Sequence, residues 1–167
     1  MVRDTVAYIC RLGCLPVDVE ARHLLSDDVS DGERPADILI HHWKFGKSLS
    51  LDVSIANSLQ YSANLRGRPF DPLEPIKEKA QLKITRYRAR CETNGLLFEP
   101  FICGSLGGLN VAASDILKRL GTAVANVQGI SRSYAIARVR KMVSFAVQKA
   151  QANAWIRRGV YGEVLLY

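Results

Sequence analysis

Two aspartates stand in apolar surroundings within residues 34–55, RPADILIHHWKFGKSLSLDVSI: Asp37 at the head of one run and Asp52 late in the next. Strands usually exclude aspartate, so the pair calls for either a solvated sheet face or a cation held between two carboxylates. In the second run Leu49, Leu51, Val53 and Ile55 alternate with Ser48, Ser50, Asp52 and Ser54. That is strand periodicity, and it turns Asp52 away from the core face. In the first run Ile38 and Ile40 share one side and Asp37, Leu39 and His41 the other. Pairing Leu39 with Asp52 makes the two aspartates diagonal neighbours on one face, about 7–8 Å apart, whereas a one-residue slip would separate them. Hard oxygen ligands at that spacing suit Mg²⁺ or Mn²⁺.

The opposite charge comes from the next helix. In IKEKAQLKITRYRARC, the residues Ile76, Ala80, Ile84, Tyr87 and Cys91 form an apolar stripe at helical spacing. Lys79, Lys83, Arg86 and Arg90 repeat that spacing one residue earlier. A helix docked by the first stripe carries the second along its margin, within reach of the aspartate face. A lysine beside a carboxylate-bound metal can orient or help deprotonate a hydrolytic water and offset charge on a phosphate. This is the composition of a metal-dependent phosphodiesterase site.

The elements that must position these groups can be read in order. Residues 5–12 form a short helix with Val6, Ile9 and Cys10 on one side. Residues 16–35 show little periodicity, and SDDVSDGERP is an acidic loop. The hairpin follows, with strands over 36–43 and 48–56 around a turn at Gly46, then a polar loop containing LRGRPFDPLEP. Pro75 suits the first turn of a helix, which ends at Asn94-Gly95, a left-handed stop signal. LLFEPFICG is a buried strand in which Pro100 marks an edge or a bulge. Two helices, near 109–127 and 133–158, close the chain around Gly129. Helix, hairpin, helix, strand and two helices make a mixed sheet flanked by helices, an α/β (α+β) fold. One domain over 1–167 is expected, its core about 30–108 and its C-terminal helical pair about 109–158.

Composition narrows the class. The 167 residues are 48% hydrophobic and 23% charged, which is globular composition and argues against disorder. A net charge of +7 favours a polyanionic partner. Four scattered cysteines make no secreted disulfide framework, so the expectation is a reduced, intracellular protein. No apolar run reaches the ~18 residues of a membrane span, and the N-terminal segment lacks a signal-peptide cleavage site.

Arg34-Pro35-Ala36-Asp37, fourteen residues, then Asp52-Val53-Ser54-Ile55 resembles the (R/K)PD…D signature of restriction-enzyme-like endonuclease domains. These are the PD-(D/E)XK domains found at the C-terminal end of some non-LTR retrotransposon reverse transcriptase proteins. GKSLSLDVSIANSLQ, KITRYRARC, LLFEPFICGSLGGL and VSFAVQKAQANAWIRR are similar to successive family segments, so the resemblance spans residues 2–158. It implies a divalent-metal-dependent DNA endonuclease (a hydrolase) that nicks target DNA, located in the nucleus where functional. It makes Asp37 and Asp52 the metal-binding acids, Lys83 the catalytic lysine and Arg86-Tyr87 the basic-aromatic pair; with the basic stripe of the helix, Arg86, Lys79 and Arg90 are the expected nucleic-acid-binding cations. The superfamily's lysine often lies two residues after the second acid, where this chain has Ser54, so the helical Lys83 must fill that role.

Other features support a different class, a catalytically inactive remnant that binds nucleic acid or is purely structural. Gly104 stands where relatives carry a glutamate, and Arg86 replaces a second lysine. Relatives also carry a zinc knuckle and a reverse transcriptase upstream, which suggests a fragment or decayed copy. His41 and His42 beside Trp43 are expected to be structural. Cys10, Cys14 and His23 lack a fourth ligand at zinc-site spacing, and Cys91 and Cys103 belong to the core.

Overall fold

A computed structural model describes residues 1–21, 36–57 and 71–162. Arg34, Pro35, His23, the acidic loop and most of the proline-rich loop lie outside the described residues. The elements are α1 (Val2–Leu12), β1 (Val17–Val19), β2 (Ile38–Lys44), β3 (Lys47–Ala56), α2 (Glu74–Thr93), β4 (Leu97–Gly104), α3 (Val111–Gln128) and α4 (Arg132–Gly162). The sheet order is β1-β2-β3-β4. The first two pairings are antiparallel and β3 with β4 is parallel. A parallel pair needs a crossover connection, and α2 lies within it. The result is the expected mixed α/β architecture, and none of the described helices is long and apolar enough to cross a membrane.

The alternation in β3 sorts the two faces. Leu49 and Leu51, with Ile38, Ile40 and Phe101, enter the main core against α1, α3 and α4. The opposite face is covered rather than solvated. Ser50 is fully buried there, Ile76 and Ala80 of α2 pack on Ala56 and Ile102, and Cys91 packs on Phe98. Full burial of each such aliphatic side chain stabilises the fold by about 1.5–3 kcal/mol. The apolar stripe of α2 therefore docks as its spacing predicts, and its basic neighbours lie along the margin.

The hairpin register differs from the expected one. Ile38 pairs with Leu51, Leu39 with Ser50 and Ile40 with Leu49, whereas Lys44 pairs with Lys47. The expected Leu39–Asp52 pairing is thus displaced by two residues. A bulge between Ile40 and Lys44 absorbs the difference, with His42 at φ 51°, a left-handed conformation that histidine tolerates better than most side chains. The bulge also returns Trp43 to the core side, where it is buried and the Arg119 guanidinium lies 4.1 Å from its ring centroid. A shift of two keeps every side chain on its face.

Strand β1 falls in the stretch expected to lack structure. Its three residues are too few for periodicity to register, and pairing with Ile38, Leu39 and Ile40 defines it. The helix stops are as expected: Gly95 takes φ 73° after α2, and Gly129 caps α3 at φ 63°. Pro100 lies on the edge strand β4, where its missing N–H removes no ladder bond. Asn110, which caps α3, covers that edge: Nδ2 donates to Pro100 O at 2.9 Å and Oδ1 accepts from Ile102 N at 3.0 Å.

Two expected results arise from packing. A Cβ at Gly121 would meet Cα and Cγ1 of Ile136, both at 2.8 Å, so Gly121→Ala must push α3 and α4 apart. The expected loss is about 1–3 kcal/mol, measured by urea unfolding; an unchanged midpoint would remove this crossing as a constraint. The thiols should divide three to one. Cys10, Cys91 and Cys103 are buried and Cys14 is exposed, and burial pushes the Cys10 and Cys103 thiols up to about 12. Because the thiolate is the reactive form, a disulfide reagent should titrate one thiol in native protein at pH 8 and four in denaturant.

Candidate active site

Asp37 sits immediately before β2 and is fixed from three directions. Its N–H donates to Leu51 O and its carbonyl accepts from Glu20 N, both at 2.9 Å. Its Oδ2 accepts from Val53 N at 2.8 Å. The carboxylate thus serves as a backbone acceptor, holding Asp37 beside the segment of β3 that carries Asp52. Burial raises the Asp37 pKa, and the Asp52 charge raises it further. The Val53 N–H, Lys83 and Arg3 act against that rise.

Asp52 faces α2, opposite the core-directed Leu51. Its Oδ2 accepts from Nζ of Lys83 in an ion pair whose side chains are only 20% (Lys83) and 13% (Asp52) exposed. Lys79, one turn earlier on α2, donates from Nζ to Ile55 O at 2.8 Å. Its pKa is lowered, first by burial and then by the neighbouring Lys83 charge, with Asp52 opposing. Helix α2 therefore runs back along β3: Lys79 meets Ile55, Lys83 meets Asp52, and Cys91 meets Ser50.

This geometry divides the expected site residues. Asp37, Asp52 and Lys83 are brought together, and Lys79 adjoins them but is tied to the β3 backbone. Arg86 is one turn beyond Lys83, exposed, with its guanidinium 5.3 Å from the Tyr87 ring centroid. Tyr87 itself packs 5.7 Å from Phe98. Arg90 lies seven residues beyond Lys83, about 10 Å along the axis at ~1.5 Å per residue, near the Ser50 end and away from the acids. The histidines are elsewhere: His41 Nε2 lies 2.8 Å from Asp18 Oδ2 across the β1–β2 pair, and His42 forms the bulge.

Arg3 was not among the expected site residues. It bonds Asp4 and Glu20, and its charge opposes the burial-driven rise of the Asp37 pKa, so it belongs to the same end of the sheet. No sequence spacing links positions 3 and 37; among the described residues Glu20, just after β1, connects them, paired with Arg3 and bonded to the Asp37 carbonyl.

The donor set fits a small hydrated divalent cation. Mg²⁺ commonly takes one or two carboxylates and keeps several waters for the remaining positions. Asp37 and Asp52 each keep Oδ1 without a partner among the described residues. Among those residues no group of three or more His, Cys, Asp or Glu is placed to hold a metal. Any cation here would depend on water and on substrate oxygens to complete its shell. No protein-family model matches the chain, and neither a curated protein nor a solved structure does.

Proposed function

We propose that this chain is a divalent-metal-dependent DNA endonuclease domain of the PD-(D/E)XK type, derived from a retrotransposon and acting on nuclear DNA. The observation that carries the reading is the convergence of one lysine and two carboxylates in a half-buried site. The Lys83 ammonium is on Asp52, and both charges act on a Asp37 carboxyl that burial has destabilised. The mixed sheet flanked by helices agrees with the family resemblance, and the net charge of +7 suits a phosphate backbone.

In this reading Asp37 and Asp52 would hold Mg²⁺ or Mn²⁺. When bound, the cation would supply Lewis-acid stabilisation of phosphoryl oxygens and lower the pKa of its water. Asp37 keeps its orientation through Val53 N. Lys83, beside Asp52, would direct its ammonium at the scissile phosphate or the attacking water. Arg86 supports the phosphate from the next turn, while Lys79 anchors α2 to β3 and keeps Lys83 in position. Water oxygen bonds to phosphorus as one ester P–O bond of one strand breaks; the water gives up a proton to solvent and the departing oxygen takes one up, leaving a nick.

A second reading, an inactive remnant that retains nucleic-acid binding, is favoured by the Lys83–Asp52 pair itself, which is neutralised without any cation, and by Gly104. Supercoiled plasmid with Mg²⁺ or Mn²⁺ separates the two. The first predicts nicking by the parent protein and none by Asp37→Ala or Asp52→Ala. The second predicts salt-dependent binding with no nicking by any of the three.

A further inference from the structure

Beyond the acids, the C-terminal end of the parallel pair opens into a cleft of about 320 Å³. Its floor is Ile55 and the turn after β4, and its wall is the distal part of α4, with Gln151, Trp155 and Arg158. The volume is at the lower end of the roughly 300–1,000 Å³ typical of ligand clefts, a size for one nucleoside rather than for a duplex. Gln151 Nε2 donates to Ser105 O at 2.8 Å, which fixes this part of α4 over the strand ends. Trp155 is 72% exposed and Leu106, from the turn, 58%. A tryptophan left that open at the mouth of a cleft needs a reason, because its indole would otherwise be buried in a core or an interface.

The charge around it suggests the occupant. Arg158, about one turn beyond Trp155 on the same face of α4, lines the cleft and is exposed. Ile55 of the cleft lies on the α4 side of the sheet and Asp52 on the α2 side, so cleft and acids can share a strand only across the C-terminal end of the parallel pair. Aromatic faces beside cationic side chains are how unpaired bases are held without sequence preference.

We infer that this cleft is a subsite for one unpaired base of a DNA strand, stacked on Trp155, with its phosphate on Arg158. The inference rests on the nuclease reading for the choice of DNA, but not on hydrolysis. It assigns the α4 end a task that the acids do not perform, holding an unpaired base of a strand that passes over the C-terminal end of the parallel pair.

The test is equilibrium binding in EDTA, with a labelled dT12 oligonucleotide and a 12-bp duplex at fixed salt. Oligo-dT should quench the exposed tryptophan emission of the parent; Trp43, the other tryptophan, is buried and should respond little. Trp155→Ala should weaken dT12 binding about 5- to 150-fold, the equivalent of the ~1–3 kcal/mol of one base–aromatic stack. Trp155→Phe should restore binding to within a few-fold, and duplex binding should be unchanged in all three proteins. Unaltered dT12 affinity in Trp155→Ala, an equal loss on duplex, or no quenching at saturation would each overturn the subsite. Asp52→Asn added to the series keeps the ideas distinct. Binding without nicking in the parent sinks the nuclease and leaves the subsite, whereas nicking with no Trp155 effect does the reverse.

Discussion

Asp52→Ala should yield no nicked plasmid where the parent protein converts it, a loss of at least about 10³-fold, since the cation it would help to hold supplies several kcal/mol of transition-state stabilisation. The same change leaves the Lys83 ammonium, 20% exposed, without its counter-ion. A partly buried ammonium left unpaired costs on the order of 1–3 kcal/mol, reduced to the extent that the four-carbon stem can lift the charge into water. Activity and stability should therefore both fall, and activity far more. Lys83→Met separates the two roles. It keeps the stem and removes the competitor for Asp52, so Mg²⁺ affinity, followed by calorimetry, should rise. Nicking should nevertheless slow by about 10²-fold, the usual consequence of losing one charge-stabilising donor. If Lys83→Met nicks as fast as the parent, Lys83 has no part in the reaction and only balances Asp52 in the resting protein. A double-mutant cycle with Asp52→Ala then gives the coupling of the pair directly.

Much of this site is legible in the sequence, because it depends on periodicities that tertiary structure left intact. The two-residue alternation of 48–55 fixes the face of Asp52, and the 4-4-3-4 spacing of α2 fixes the margin that carries Lys83. Helix ends are marked by Pro75, Gly95 and Gly129, each with a local conformational reason. What was not legible is non-local. The bulge at His41–His42 moves the register by two and draws Asp37 level with the β3 segment around Asp52, yet a bulge has no periodic signature. The histidines that suggest ligation thus act through backbone conformation. β1 is defined by its partners and is invisible without them, although it brings Glu20 and Arg3 to Asp37. Lys79 belongs to the basic stripe by spacing, but its bond to Ile55 depends on how closely α2 approaches the end of β3.

Asp37→Asn should produce the opposite pairing of effects, with nicking abolished and the protein made more stable at neutral pH. The amide oxygen can still accept from Val53 N, so the local backbone contact survives while the charge is lost. The sign follows from the raised pKa of Asp37. Between its ordinary value and the raised one, the folded state holds a proton that the unfolded chain has released. Stability therefore falls as pH rises through that window and stays reduced above it. Asparagine undergoes no such change. Thermal melts should show the variant more stable than the parent at pH 7, the difference closing as pH drops below the ordinary aspartate range. Mg²⁺ should raise the melting temperature of the parent by mass action and leave that of Asp37→Asn unmoved. A variant less stable than the parent at pH 7 would mean that Lys83 and Arg3 outweigh the burial, making Asp37 a structural ion-pair partner. A more stable variant that has lost both the Mg²⁺ response and nicking identifies a carboxylate kept against its own folding cost, as expected where the charge serves a reaction.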